Sequence, residues 1–97
     1  MKRVIVPAAL AELHDAAAFY TASANLELGL AFLVEFEHGV NAILANPKVG
    51  AIFRGNRRRY LLRRFPYSII YHVTSDELRV IAVAHQRRRP GYWAGRK

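Results

Sequence analysis

The sequence predicts an α+β fold of order βααβββ, an antiparallel sheet with an N-terminal two-helix hairpin packed on one face. Three observations lead there: helical spacing of apolar residues in the first half, short β-prone apolar runs in the second, and connections too short to do more than reverse the chain. At 97 residues, 53% of them apolar, the chain can enclose one modest core, so residues 1–97 are expected to form a single domain.

Residues 3 to 6 are β-prone, and Pro7 ends them while suiting the first position of a helix, where a missing N–H costs nothing. Leu10, Leu13, Ala17 and Tyr20 recur at helical spacing with Glu12 and Asp15 on another side, which predicts an amphipathic helix over about 7–22. A break at Thr21–Asn25 precedes a second helix capped by Ser23 or Asn25. Its stripe is Leu26, Gly29, Leu33, Phe36, Val40, Ile43 and Leu44, and Asn46-Pro47 stops it. Leu28, Phe32 and Val34 fall off that stripe; either the helix is buried on two sides or they form an exposed patch for a partner. Residues 48–56 turn to Gly, Pro and mixed composition and are expected to be a loop. Strands follow at about 58–64, 67–74 and 78–86, with turns at Phe65-Pro66 and Thr74–Glu77. In the second of these strands Tyr67, Ile69, Tyr71 and Val73 are the expected core face. The third is apolar on both sides and is expected to be central.

Charge divides the chain. Residues 47–97 carry thirteen Lys and Arg against two acids, while residues 1–46 carry two bases and five acids. Arginine clustered beside aromatics on strands suits a polyanion, either a phosphodiester chain or an acidic protein partner. The chain has no cysteine, which excludes disulfide frameworks and thiolate metal sites. No His/Asp/Glu spacing suggests a metal, and no cofactor is expected. Glu12 interrupts the N-terminus before a signal-peptide core could form, and no uninterrupted apolar run approaches a membrane span of roughly 18 residues. A cytoplasmic location without membrane contact is therefore expected. The helices belong to the acidic half, and no helix-turn-helix is recognisable, which places a plain DNA-binding role last.

Several fragments, in order, carry a family resemblance. They are the Pro7–Tyr20 helix ending Ala-Ala-Ala-Phe-Tyr, Gly29-Leu-Ala-Phe32 at the start of helix two, and the Asn46-Pro47 stop. Arg64-Phe-Pro-Tyr-Ser-Ile-Ile-Tyr71 and His85-Gln-Arg-Arg-Arg-Pro-Gly-Tyr-Trp93 complete them. Together they resemble the RelE/ParE superfamily of toxins from type II toxin–antitoxin systems, above all its ParE-like branch, over nearly the whole chain. The resemblance implies the same βααβββ order and a growth inhibitor neutralised in a hetero-oligomer with a cognate antitoxin. It implies one of two targets: DNA gyrase for ParE-like toxins, or mRNA on the ribosome for RelE-like endonucleases.

Metal-free RNA cleavage needs groups to move protons and cations to stabilise the phosphate. Arginine supplies only the cation. For a ribonuclease the candidates are His85 and Tyr92 for proton transfer, His72 behind them, and Arg88 on the phosphate. RelE-like toxins usually carry an arginine directly after the tyrosine that opens the 67–74 strand, and Ser68 stands there instead, which counts against ribonuclease activity unless Arg63 or Arg64 substitutes in space. His85-Gln86-Arg87 is closer to the ParE pattern. The expected nucleic-acid or target contacts are Arg58, Arg63, Arg64, Arg87, Arg88, Arg89 and Trp93; the expected antitoxin contacts are Leu28, Phe32, Arg63 and Arg79. Tyr92 and Trp93 are either stacking platforms or seals at the sheet edge.

Overall fold

In the computed structural model, which describes residues 1–97, Lys2–Ile5 forms β1, Pro7–Ser23 α1 and Leu26–Ala45 α2. Four strands follow: β2 (Ala51–Arg54), β3 (Arg57–Leu61), β4 (Tyr67–Val73) and β5 (Glu77–His85). Of the two expected caps for α2, Asn25 is the one used, its side chain accepting the Leu28 N–H at 2.8 Å. Ser23 instead donates its hydroxyl to the Phe19 carbonyl at 2.6 Å. The helices cross closely at Gly29, where a Cβ would stand 1.9 Å from Thr21 Oγ1 and 2.8 Å from the Ala17 carbonyl oxygen.

The sheet order is β1-β5-β4-β3-β2, and β5 is central as expected. Two features differ from the expectation. Residues 51–54, read as loop, form an edge strand antiparallel to β3. The sheet is also mixed, because β1 runs parallel to β5 with Lys2 opposite Glu77 and Ile5 opposite Val80. The two differences are one: with three strands after the hairpin the last would oppose β1, and a fourth strand adds the reversal that makes them parallel. The signal for β2 lay in Gly55-Asn56, a hairpin dipeptide whose glycine adopts φ +58°. The four-residue strand itself is mostly exposed and shows no buried alternation.

Leu13, Ala16 and Ala17 of α1 and Phe36, Val40 and Ile43 of α2 bury against Ile69, Leu78, Val80 and their neighbours in one continuous core. Leu10 and Leu26, expected on the buried stripes, are 40% and 62% exposed, and Ala9 and Phe32 take those places. Phe32 is completely buried, its ring 5.0 Å from those of both Phe65 and Tyr67. In β4 the expected alternation fails: Ser68, Ile69, Ile70 and Tyr71 are all buried. A register irregularity between Ile70 and Tyr71 interrupts the pleat, and the C-terminal segment covers the sheet face that the helices leave open. At 20 residues and mean hydropathy 1.4, α2 is long and apolar enough to cross a bilayer by composition. Its buried ridge is occupied by the sheet, and Glu35 and Glu37 bind the Arg63 N–H and the Arg3 guanidinium.

Candidate functional site

The site is made by the tail after β5. A turn closed by Arg88 N–H to the His85 carbonyl (3.0 Å) starts it, and Gly91, at φ +80°, lets it fold back across the sheet. A side chain at Gly91 would also press on the Arg54 guanidinium, 3.0 Å from the ideal Cβ position. The bend delivers Trp93 onto Phe53 of β2, with ring centroids 5.8 Å apart and Trp93 only 2% exposed. Arg57 holds this arrangement by donating to the Trp93 (3.4 Å), Ala94 (3.2 Å) and Arg96 carbonyls.

Glu12 on α1 clamps the tail from the other side. It accepts the Tyr92 hydroxyl at 2.6 Å, Arg96 at 2.7 and 3.1 Å, and the Val83 backbone N–H at 3.0 Å. β1 pairs with β5 only as far as Val80, so Val83 has no strand partner on that side and the carboxylate serves as one. Burial works to raise the Glu12 pKa; the hydrogen bonds from Arg96, Tyr92 and Val83, with the Arg96 charge, outweigh it and hold it below the usual range. The Tyr92 hydroxyl is pushed well above the ordinary phenol value, first by burial and then by the adjoining carboxylate.

Between tail and sheet lies a cleft of about 90 Å³ with Arg59, Arg88 and Arg89 around it and Ser68 and Ile70 in its wall. The Arg59 guanidinium stacks over Phe53 at 4.5 Å and that of Arg88 over Tyr92 at 3.9 Å. The chain's three ion pairs, Arg3–Glu37, Arg79–Glu77 and Arg96–Glu12, involve none of the cleft arginines. No carboxylate lines the cleft.

The expected site residues separate into four groups. Arg88 and Arg89 line the cleft, and Arg87 is exposed beside it. Arg58 donates to the Gly50 carbonyl at 2.8 Å and Arg79 to Glu77 at 2.9 Å, so both act within the fold. Trp93 and Phe32, expected as contact residues, are both buried in the free chain, Trp93 in the floor of the cleft. Arg63 and Arg64, expected near His85 and Tyr92, flank α2 instead: Arg63 shares a hollow with Glu35 and His38, and Arg64 one with Asn25 and Leu28. The strand-borne cation that shares the cleft with Ser68 is Arg59, opposite Ile70 in the sheet, which the sequence reading passed over together with Glu12, Arg57 and Arg96. Strand alternation puts Arg57 and Arg59 on one face, and that was the available signal; Glu12 looked like an ordinary acid on a polar helix side.

Both proton-transfer candidates are engaged. His85 Nδ1 accepts the Arg87 N–H at 3.0 Å, which leaves the proton of the neutral ring on Nε2. Its ring stands at the border of the cleft, among the residues that line it, and packs edge-on against Tyr67 at 4.9 Å. Tyr92 donates its hydroxyl to Glu12. His72 lies near the Asn56 carbonyl, 3.5 Å away, and is not among the cleft residues.

The chain matches a structure described as "Chromosomal ParDE TA system from P. aeruginosa" with a TM-score of 0.76 and 20% identity, covering 88% of this chain and 95% of that one. At that identity the match speaks for the fold. The family model described as ParE toxin of type II toxin-antitoxin system, parDE, matches residues 4–90, and the chain belongs to this family. No curated protein sequence matches it.

Proposed function

We propose that this chain is the growth-inhibiting component of a type II module and that it acts by binding a protein target, DNA gyrase being the family precedent, rather than by cutting RNA. The observation that carries the choice is the engagement of both proton-transfer candidates, His85 by the Arg87 amide and Tyr92 by Glu12. A cytoplasmic cognate antitoxin with an acidic segment completes the reading, since unpaired guanidinium groups bind carboxylates bidentately. Leu28 beside Arg64 is one place where such a segment would find apolar and cationic contacts together.

The alternative, a ribosome-dependent mRNA endonuclease, draws on Arg59, which supplies beside Ser68 the cation that residue 68 lacks. Inducing the gene alone and with the neighbouring small reading frame, while following DNA and protein synthesis separately, tests the choice. The expected result is arrest of DNA synthesis first, rescue by the neighbour, and inhibition of gyrase supercoiling by purified protein. Untouched supercoiling together with transcripts cut in coding frames, relieved by H85A, would overturn it.

A further inference from the structure

Fifteen Lys and Arg are present, but they are not one population. Arg57 and Arg58 are bound to backbone carbonyls, and Arg3, Arg79 and Arg96 to carboxylates. Arg59, Arg88 and Arg89 converge on the cleft and form no ion pair, although Arg88 also borders a second hollow with Glu12 and Asp15; two of the three are held in place by an aromatic face. Ser68 adds a second, independent observation. It is 4% exposed and lines the cleft, and its hydroxyl makes no hydrogen bond within the chain. Since no fully enclosed side-chain polar atom lacks a partner, that hydroxyl opens into the cleft.

From this we infer that the cleft is a binding site for a phosphate group, the phosphomonoester or phosphodiester of a nucleotide or nucleic-acid strand, which it holds without cleaving. Three guanidinium groups, the Ser68 hydroxyl and the Gln86 amide exceed the acceptor capacity of a two-oxygen carboxylate and suit a tetrahedral group with several charged oxygens. The aromatic rings at the cleft are already used: Phe53 is covered by Arg59 and Tyr92 by Arg88, while Trp93 is buried. The remaining ring, His85, is packed edge-on against Tyr67, so the site reads the phosphate and is indifferent to the base. His85 also lines the cleft, but its Nδ1 is taken by the Arg87 amide and the Tyr92 hydroxyl by Glu12, so the ligand is retained intact. The inference stands apart from the choice of toxin target, because it concerns what the cleft holds and not what the toxin inhibits.

The test is titration of the purified chain with inorganic phosphate, with AMP, with an unlabelled single-stranded oligoribonucleotide, and with an acidic peptide of matched charge. Binding of phosphate and AMP, weakened about tenfold in R59Q and in R89Q, is expected. The oligonucleotide is expected to bind with a salt slope that falls by about one per arginine removed. S68A separates a built site from loose attraction: it is expected to weaken inorganic phosphate several-fold, in a variant whose circular dichroism is unchanged, while leaving the salt slope as it was. AMP binding no better than phosphate assigns the site to the phosphate alone; a much tighter oligonucleotide assigns it to a strand. Equal binding by wild type, R59Q and S68A, preference for the acidic peptide, or cleavage of the oligonucleotide would each overturn the inference.

Discussion

Tyr71 and Glu12 show how single polar atoms hold this fold in place. Tyr71 is fully buried, accepts the Gly50 N–H at 2.9 Å and donates to the Pro47 carbonyl at 2.8 Å, so one hydroxyl moors the turn between α2 and β2 to β4. Y71F keeps the packing and leaves both backbone groups without that partner, so a loss of about 1–3 kcal/mol in urea unfolding is expected. Glu12 has the larger network. Its folded pKa lies below the ordinary carboxylate value, so its stabilisation is present above the unfolded pKa of about 4.3 and is lost as pH falls through the folded value. Glu37, lowered by its hydrogen bond from Arg3, titrates in the same direction. Trp93, the chain's single tryptophan, reports on the tail that Glu12 clamps. A red shift of its emission is expected on acidification below about pH 4. E12Q should show that shift already at neutral pH and should lower stability by about 2 kcal/mol; E37Q should leave the emission unchanged.

At the scale of elements, the hairpin depends on the helix crossing at Gly29. Thr21 Oγ1 can rotate away from a new Cβ, but the Ala17 carbonyl is helix backbone and cannot. G29V is therefore expected to force the helices apart and cost about 1–3 kcal/mol, measurable as a lower thermal midpoint, while A18V on the exposed side of α1 should cost far less. The long elements were legible because each has a periodic stripe or a hard stop: Pro7, Asn46-Pro47, and the apolar run of β5. β2 was not, since its four residues are held by hydrogen bonds to β3 and not by a buried face. Missing it also inverted the expected direction of the last strand relative to β1. The cleft was half legible. Arg88 and Arg89 were marked by their cluster, whereas Arg59 needed the sheet register, and Glu12 and Arg96 meet only because the tail folds back over a separation of 84 residues.

For the molecule as a whole, charge is unevenly shared between the acidic helical half and the basic strand half, and much of the basic half is unpaired. Association with an acidic antitoxin segment should therefore be electrostatically steered. Stopped-flow measurements are expected to show the association rate falling about tenfold or more between low and physiological salt, with dissociation little changed. A rate indifferent to salt would mean that apolar contacts, not the arginines, govern encounter.

β2 is one of the sheet's two edges, the other being β1, and Arg54 sits on it near the exposed Ile52. Two copies sliding together along that border would bring cation against cation before backbone could meet backbone. The same positive charge thus acts as a guard against self-stacking, and it is a conditional guard: heparin or another soluble polyanion, by masking it, would be the agent that lets these molecules coalesce.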